Sequence, residues 1–160
     1  MKRKKLLVIV AAVMIVLGVC LLPLPMKRKL EVKGYEMSED GTVVEEVTIE
    51  ADCWEWNFLF LKDQLTGKVT VSSPSGIINT KLTDGRKMPS GSFQAAAQGY
   101  QNDTGSEESK VLQTVSIELN EDVTMIAIRT SSGSQVRRFV GAKDSKLTAE
   151  NIWSYFYGNP

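Results

Sequence analysis

The chain of 160 residues contains no histidine and only two cysteines, Cys20 and Cys53. The lack of histidine excludes a Ser-His or Cys-His catalytic pair, a histidine-ligated zinc ion and an imidazole pH sensor. Cys20 lies in an apolar N-terminal segment, so Cys53 has no partner for a disulfide within the rest of the chain. We therefore expect a fold that depends on its hydrophobic core, and we predict no metal and no cofactor.

The sequence also lacks the short motifs of common enzymes. It has no Ser-x-x-Lys, no Gly-x-Gly-x-x-Gly and no phosphate-binding loop. Carboxylates are the only plentiful catalytic groups, and Glu50, Asp52 and Glu55 lie close together in the sequence. On a regular strand Asp52 and Glu55 point to opposite faces, which favours solvated acids over a glycosidase pair. We predict no catalytic residue and no enzymatic activity.

One long apolar run is present near the N-terminus. Positions 6–22 carry no charge, and lysine and arginine clusters stand on both sides of the run. At ~1.5 Å per residue, a helix of this length just crosses a hydrocarbon core of ~30 Å. Pro23 and Pro25 are expected to end the helix. The sequence predicts a single-pass membrane anchor with a span at about 6–25, inside a basic N-terminal segment 1–29.

Two alternatives remain open for this segment. A cleaved signal peptide usually has a shorter apolar region and a small-x-small cleavage site, which "LLPLPMKRK" does not offer. A lipoprotein signal would make Cys20 the lipidated residue, but Val19 stands where such signals have a small residue. The basic charges before the run slightly outnumber those after it, so we expect the C-terminal domain outside the cytoplasmic membrane.

The neutrality of the whole chain hides an acidic domain at residues 30–160. Seven of the 19 basic residues lie within 1–29, and all 19 acidic residues lie beyond it. The domain thus has twelve basic and nineteen acidic residues, a net charge of −7. This balance argues against nucleic acid as a partner, because phosphate contacts need clustered lysine and arginine. The basic residues at 27–29 can pair with membrane lipid headgroups.

Alternating, β-branched segments dominate residues 30–160. Such segments are "VVEEVTIEA", "CWEWNFLFL", "GKVTVSS", "VLQTVSIEL", "VTMIAIRT" and "QVRRFV", with turn residues between them. Short strands at this spacing predict a mainly β domain, an antiparallel β-sandwich or barrel. We expect one hairpin of 54–62 with 67–73 around "DQLTG", and another of 111–119 with 123–130 around "NED".

The periodicity changes at the C-terminus. Ala149, Ile152, Trp153 and Phe156 fall on one stripe of a helix. Thr148 can cap the helix, and a glycine at position 158 is placed to end it. The sequence predicts a short helix at 148–157 that lies on the sheet.

The stretch "ADCWEWNFLF", residues 51–60, has aromatic side chains at every second position, namely Trp54, Trp56, Phe58 and Phe60. A domain without disulfides needs large core side chains, and a large exposed apolar patch is rare on soluble domains. The pattern therefore predicts that these residues face the core. The alternative is that Trp54 and Trp56, next to acids, stack on a sugar or a peptide.

Two further groups of residues are weaker candidates. The polar loop at 98–109 is the place where a cation would most readily bind, but it lacks the spacing of a calcium loop. Arg137 and Arg138, with Lys143 and Lys146, form the main basic concentration of the domain. We expect these residues to form ion pairs with the abundant acids, the two arginines pointing to opposite faces of a strand.

Three segments carry a resemblance: "LLPLP", "DGTVVEEVTIEADCWEWNFLFLKDQLTGKVTV" and "FVGAKDSKLTAENIW". In these segments the chain resembles small single-pass membrane-anchored proteins of Gram-positive bacteria that have an exported β domain. The resemblance implies a cell-membrane location with the domain outside. No catalytic or binding residue carries over from it.

The sequence therefore favours a non-enzymatic, membrane-anchored extracytoplasmic domain. Such a domain binds or scaffolds a partner at the cell envelope, and its sequence leaves the identity of that partner open. One alternative is an accessory subunit of a membrane complex. The other is an envelope glycan hydrolase that uses aspartate or glutamate.

Overall fold

The structure, a computed structural model, describes residues 2–59, 61–102 and 110–158. Helix α1 is Lys2–Leu21 and helix α2 is Ala149–Tyr157. The strands between them are β1 Leu24–Met37, β2 Val43–Asn57, β3 Gln64–Ser73, β4 Gly76–Lys87, β5 Phe93–Asn102, β6 Lys110–Leu119, β7 Met125–Ser132 and β8 Gln135–Ala142. The eight strands form a closed antiparallel barrel in chain order.

The prediction of a mainly β, antiparallel domain with a short C-terminal helix is confirmed, and of the two architectures expected the structure has the barrel. The hairpin around "NED" is also confirmed, because β6 pairs with β7. The hairpin around "DQLTG" begins elsewhere, since β2 ends at Asn57 and β3 begins at Gln64. The backbone N–H of Phe58 donates to the Asp63 carboxylate at 3.0 Å, which closes a turn where the sequence suggested strand.

The N-terminal segment passes from helix directly into the barrel. Helix α1 ends at Leu21, shortly before Pro23, and β1, a strand that the sequence patterns did not predict, begins at Leu24. Residues 24–29, assigned above to the anchor segment, pair with the end of β2, from Leu24 with Asn57 to Lys29 with Asp52. In the described part of the chain, no helix combines the length and the apolarity needed to cross a membrane.

The barrel closes along a short seam between β1 and β8, where Gly34 to Met37 pair with Gly141 to Arg138. A β-carbon on Gly34 would lie 2.6 Å from the carbonyl oxygen of Val140 and 2.7 Å from Cδ1 of Ile49. The absence of a side chain at Gly34 therefore lets β1 approach β8 closely enough to pair.

Medium-sized side chains fill the barrel interior. In β2 the inward residues are Val47, Ile49, Ala51 and Cys53, each almost completely buried. Phenylalanine and further aliphatic side chains from the other strands complete the same cluster. An eight-stranded barrel is just wide enough to be filled by side chains of this size.

Helix α2 builds a second, smaller core on the outside of the barrel. Ile152 and Trp153 are buried against Met37, Ala127 and Val140. The side chain of Thr148 accepts a hydrogen bond from the N–H of Asn151, in a capping box that begins the helix as predicted. The helix thus lies on the outer face near the β1–β8 seam.

Candidate functional site: a groove on the outer face

Trp54 and Trp56 face away from the barrel core, so their predicted orientation is wrong. Trp54 is 42% exposed, whereas its neighbour Cys53 is fully buried. Residues 43–57 form one continuous strand, and the inward phase set by Val47 and Ile49 continues through Cys53. Because side chains alternate strictly along a strand, the indoles must then point outward.

Trp54 and Trp56 form an aromatic pair on this outer face, with ring centroids 6.4 Å apart. Trp56 is half-buried, and its Nε1–H donates to Oγ1 of Thr66 at 2.9 Å. Trp54 is open to solvent on one side, and Nζ of Lys27 lies 5.7 Å from its ring centroid. Phe58 is half-buried, and Phe60 lies outside the described residues.

Trp54 lines a groove of about 870 Å³ that crosses the outer face of strands β1 to β5. This volume falls within the ~300–1,000 Å³ of ordinary ligand clefts. The groove is lined by Lys27, Asp52, Trp54, Thr66, Gly67, Lys68, Asn79, Thr80, Lys81, Leu82, Thr83, Gln98 and Tyr100. The lining thus combines aromatic rings, hydrogen-bonding side chains and three lysines.

Irregular strand pairing produces the groove. The β3–β4 register shifts between Leu65 and Gly67, and a β-carbon on Gly67, which has φ 154°, would overlap the Asp52 carbonyl oxygen. Next to this bulge β4 and β5 separate: they pair at 77–80 and at 86–87 of β4 but not between. Bulges bend a strand and increase its local twist, so the outer surface becomes concave here.

The groove has an uncompensated positive charge. Lys68 and Lys81 lie directly opposite each other on β3 and β4. Among the ion pairs of the described residues, none involves either of them, whereas Asp52 pairs with Lys27 at 3.3 Å and with Lys29 at 3.8 Å. Like charges directly opposite each other on a sheet are destabilising. A positive groove on a domain of net charge −7 is a local arrangement that favours anions.

The carboxylates considered above do not form a catalytic pair. Asp52 and Glu55 point to opposite faces, as predicted: Asp52 is exposed on the outer face, and Glu55 is 4% exposed inside the barrel. The prediction that both are solvated is wrong for Glu55, because Nε of Arg28 donates to its carboxylate at 2.7 Å. Glu50 is exposed beside Glu31 on the neighbouring strand. These acids therefore do not flank a common cleft.

Cys53 lies directly beneath the groove but is shielded from it. Burial raises the pKa of its thiol to about 11, and the negative charge of Asp52 adds to this shift. A thiol with this pKa is neutral at physiological pH, and the thiolate is the nucleophilic form. Cys53 is thus a core residue.

The two arginines of β8 occupy opposite faces and form ion pairs, as predicted. Arg137 turns inward and binds the carboxylate of Glu36 through Nε at 2.8 Å and Nη2 at 2.6 Å. Arg138 turns outward, and its Nη2 lies 3.3 Å from Glu39. Lys143 and Lys146 are exposed in the segment after β8.

The loop at 98–109 falls only partly within the described residues. Its first residues, 98–102, belong to β5, and 103–109 lie outside the described part. In the part that the structure describes, no group of three or more acidic, cysteine or histidine side chains is arranged to hold a metal ion. The expectation that the chain holds no metal therefore stays a prediction.

Sequence reasoning considered Trp54 as a stacking residue only in its alternative interpretation and Asp52 only as a possible catalytic acid. It missed Lys68, Lys81 and Tyr100. The alternation in "GKVTVSS" indicates that Lys68 points outward, on the other face of the strand from Val69. Tyr100 was placed in a polar loop, whereas β5 continues to Asn102 and leaves its ring 49% exposed on the groove. No local pattern shows that Lys68 and Lys81 become neighbours, because that depends on the register of two strands.

Comparison with known protein families, curated proteins and solved structures gives no significant match to this chain. The assignment of the candidate site therefore rests on its geometry alone.

Proposed function

We propose that the protein is a non-catalytic, membrane-anchored binding module of the cell envelope whose outer groove binds an anionic glycan. The observation that carries this proposal is the pair Lys68–Lys81: the two lysines lie opposite each other, take part in no ion pair of the described residues, and line the groove together with the exposed ring of Trp54. The anchor, the envelope location and the lack of catalysis rest on the sequence: its apolar run, its basic flanks and its lack of histidine.

An anion bound between Lys68 and Lys81 relieves the repulsion between their ammonium groups. Both lysines are exposed, so the free protein screens this repulsion with water and salt, and little stability is lost. A carboxylate or phosphate placed between them gains two charge-assisted contacts at once. Asp52 already forms ion pairs with Lys27 and Lys29. Lys68 and Lys81 can therefore both contact a bound anion.

A carbohydrate fits the remainder of the lining. Trp54 and Tyr100 are each about half exposed and stand at the groove, where a sugar ring can stack its C–H face on an indole or phenol. The threonine, asparagine and glutamine side chains of the lining can exchange hydrogen bonds with hydroxyl groups. The structure favours binding over glycan hydrolysis because Asp52 and Glu55 lie on opposite sides of the sheet.

Calorimetric titration of the full-length protein in detergent micelles tests this proposal. The probe is tetragalacturonate, and the matched neutral probe is its methyl ester, which has the same rings without the charges. We expect tetragalacturonate to bind, its affinity to fall as salt rises, and the ester to bind at least about tenfold more weakly, a loss of ~1.4 kcal/mol.

Variants separate the two parts of the site. Replacing Lys68 and Lys81 together by glutamine should weaken tetragalacturonate binding about tenfold, whereas Lys33→Gln, on the exposed face of β1 outside the groove, should not. Trp54→Ala should weaken both probes. Equal affinity for the charged and the neutral probe would contradict the anion site. If neither probe binds, the proposal as a whole is contradicted.

A further inference from the structure

The barrel has a second concave site, inside its mouth, at the end formed by the turns after β1, β3 and β7. This cup has a volume of about 360 Å³. Polar side chains of β1, β2, β5, β6, β7 and β8 line it, together with Val44 and with Ser75 from the turn after β3. It lies within the barrel, whereas the groove lies on the outer face. Barrel mouths are common places for small-ligand sites.

Arg137 organises one side of the cup. Its guanidinium lies over the ring of Phe139, with Cζ 5.0 Å from the ring centroid, and thus stands above the apolar core. It holds Glu36 in a two-point contact, and its Nη2 lies 3.4 Å from the Glu45 carboxylate and 2.7 Å from the hydroxyl oxygen of Ser75. Two glutamates and one arginine leave this cluster with a net charge of −1.

Gln113 lies in the same cup and has an unused acceptor. The residue is 5% exposed, and its Nε2 donates to Oε1 of Gln101. Its Oε1 is buried and has no hydrogen-bond partner among the described residues. A buried amide oxygen without a donor is costly and rare in folded proteins, so its presence in a polar cavity points to a ligand that donates to it.

We propose that the cup binds small molecules that carry a primary ammonium group. The ammonium has three donors, one of which can reach the free Oε1 of Gln113, and its charge offsets the net −1 of the Arg137 cluster. An anion would meet the acceptor oxygen of Gln113 and the carboxylates of Glu36 and Glu45. A neutral hydroxyl compound could donate to Gln113 but would leave the negative charge uncompensated.

Three probes of similar size test the charge requirement on the full-length protein in detergent micelles: ethanolamine, ethylene glycol and glycolate, which are cationic, neutral and anionic. We expect ethanolamine to raise the melting temperature and to release or absorb heat in a saturable titration. The other two should give no saturable signal at the same concentrations. A saturable signal of equal strength from ethylene glycol, or none from ethanolamine, would overturn the proposal.

Substitutions at Gln113 test the assignment of the acceptor. Gln113→Leu should lower the affinity for ethanolamine about 10- to 100-fold, the worth of a hydrogen bond to a charged group. The same variant should melt close to the temperature of the unliganded parent, because it removes an unsatisfied buried oxygen but also the hydrogen bond from Nε2 to Gln101. Gln113→Glu, which adds a negative charge, should bind ethanolamine more tightly. If both variants bind like the parent, Gln113 does not contact the ligand.

The proposals for the groove and for the cup can be tested independently. The variant with glutamine at both 68 and 81 should retain the full ethanolamine affinity, and Gln113→Leu should retain the tetragalacturonate affinity. A loss of both affinities in either variant would overturn the assignment of two independent sites.

Discussion

The inner and outer faces of β2 use alternate residues of one strand for different purposes. Ile49 and Cys53 are completely buried among the aliphatic side chains that fill the barrel, whereas Asp52 and Trp54 are open to solvent in the groove. A buried side chain of this kind stabilises the fold by ~1.5–3 kcal/mol, and a half-exposed one contributes much less. The comparison teaches that folding fixes the inner face, while the outer face can be specialised for a ligand.

Substitutions on the inner face should therefore lower stability, and substitutions on the outer face should mainly weaken binding. A truncated inner side chain leaves a cavity, because neighbouring strands are held by their hydrogen-bond ladders and relax only in part. A truncated outer side chain leaves space that water fills. Three substitutions that follow, two on the inner face and one on the outer face, test this difference.

The largest effect is expected for Phe139, which is fully buried in the barrel core beneath Arg137. Phe139→Ala should lower the free energy of unfolding by ~3–5 kcal/mol, the usual loss for a core aromatic residue. Urea unfolding monitored by circular dichroism measures this loss. The matched control on the same strand is Val136→Ala, at a 38% exposed position, which should change the stability by no more than ~0.5 kcal/mol. Similar losses for both variants would contradict a filled barrel.

Cys53, on the inner face of β2 beneath the groove, should give an intermediate effect that depends on pH. Burial raises the pKa of the folded thiol to about 11, above its ordinary value of 9.0. Between these values the unfolded thiol ionises while the folded one keeps its proton, so stability is full below pH 9 and falls as the pH approaches 11. The expected loss is up to ~2–3 kcal/mol.

The Cys53→Ala variant isolates this effect from the titration of lysines and tyrosines. Its free energy of unfolding should fall less steeply than that of the parent between pH 9 and pH 11, in urea titrations at several pH values. Native Cys53 should also react slowly with a maleimide until urea opens the barrel. Parallel pH curves for the two proteins, or rapid labelling of the native state, would show that the thiol is accessible.

Sequence patterns predicted β2, β3, β6, β7 and β8 but not β1, β4 or β5. Alternation in "VVEEVTIEA" gave the correct inward set, and the stripe and cap at 148–157 gave helix α2. The orientation of Trp54 was predicted wrongly because the aromatic run was treated as a separate strand with its own phase. The same alternation, continued for three more residues beyond Ala51, places Cys53 inside and Trp54 outside. The large size of the indoles favoured the wrong prediction of a core position, because an eight-stranded barrel is filled by smaller side chains.

Neither site could be predicted from local patterns, because both depend on contacts between distant segments. The groove needs Lys68 opposite Lys81, a register that follows from the bulge at Gly67. The cup needs Gln113 and Arg137 at the same end of a closed barrel, and closure depends on the short seam at Gly34. Hydrophobic periodicity gives the face of each strand but not its neighbours or its register.

The smallest effect on stability is expected for Trp54, although tryptophan is the largest side chain. Trp54→Ala removes a tilted contact with Trp56 and a cation–π contact with Lys27, both on the exposed face. Each exposed contact of this kind contributes ~0.5–1 kcal/mol, so the loss of both should lower the free energy of unfolding by ~1–2 kcal/mol. Urea unfolding of Trp54→Ala and Phe139→Ala under identical conditions compares the outer and inner faces directly. Trp54→Phe, which retains an aromatic ring at the groove, should recover most of the lost stability and part of the tetragalacturonate affinity. A loss of ~3 kcal/mol or more for Trp54→Ala would place the indole in a packed core, and the groove would then have no exposed ring on which a sugar could stack.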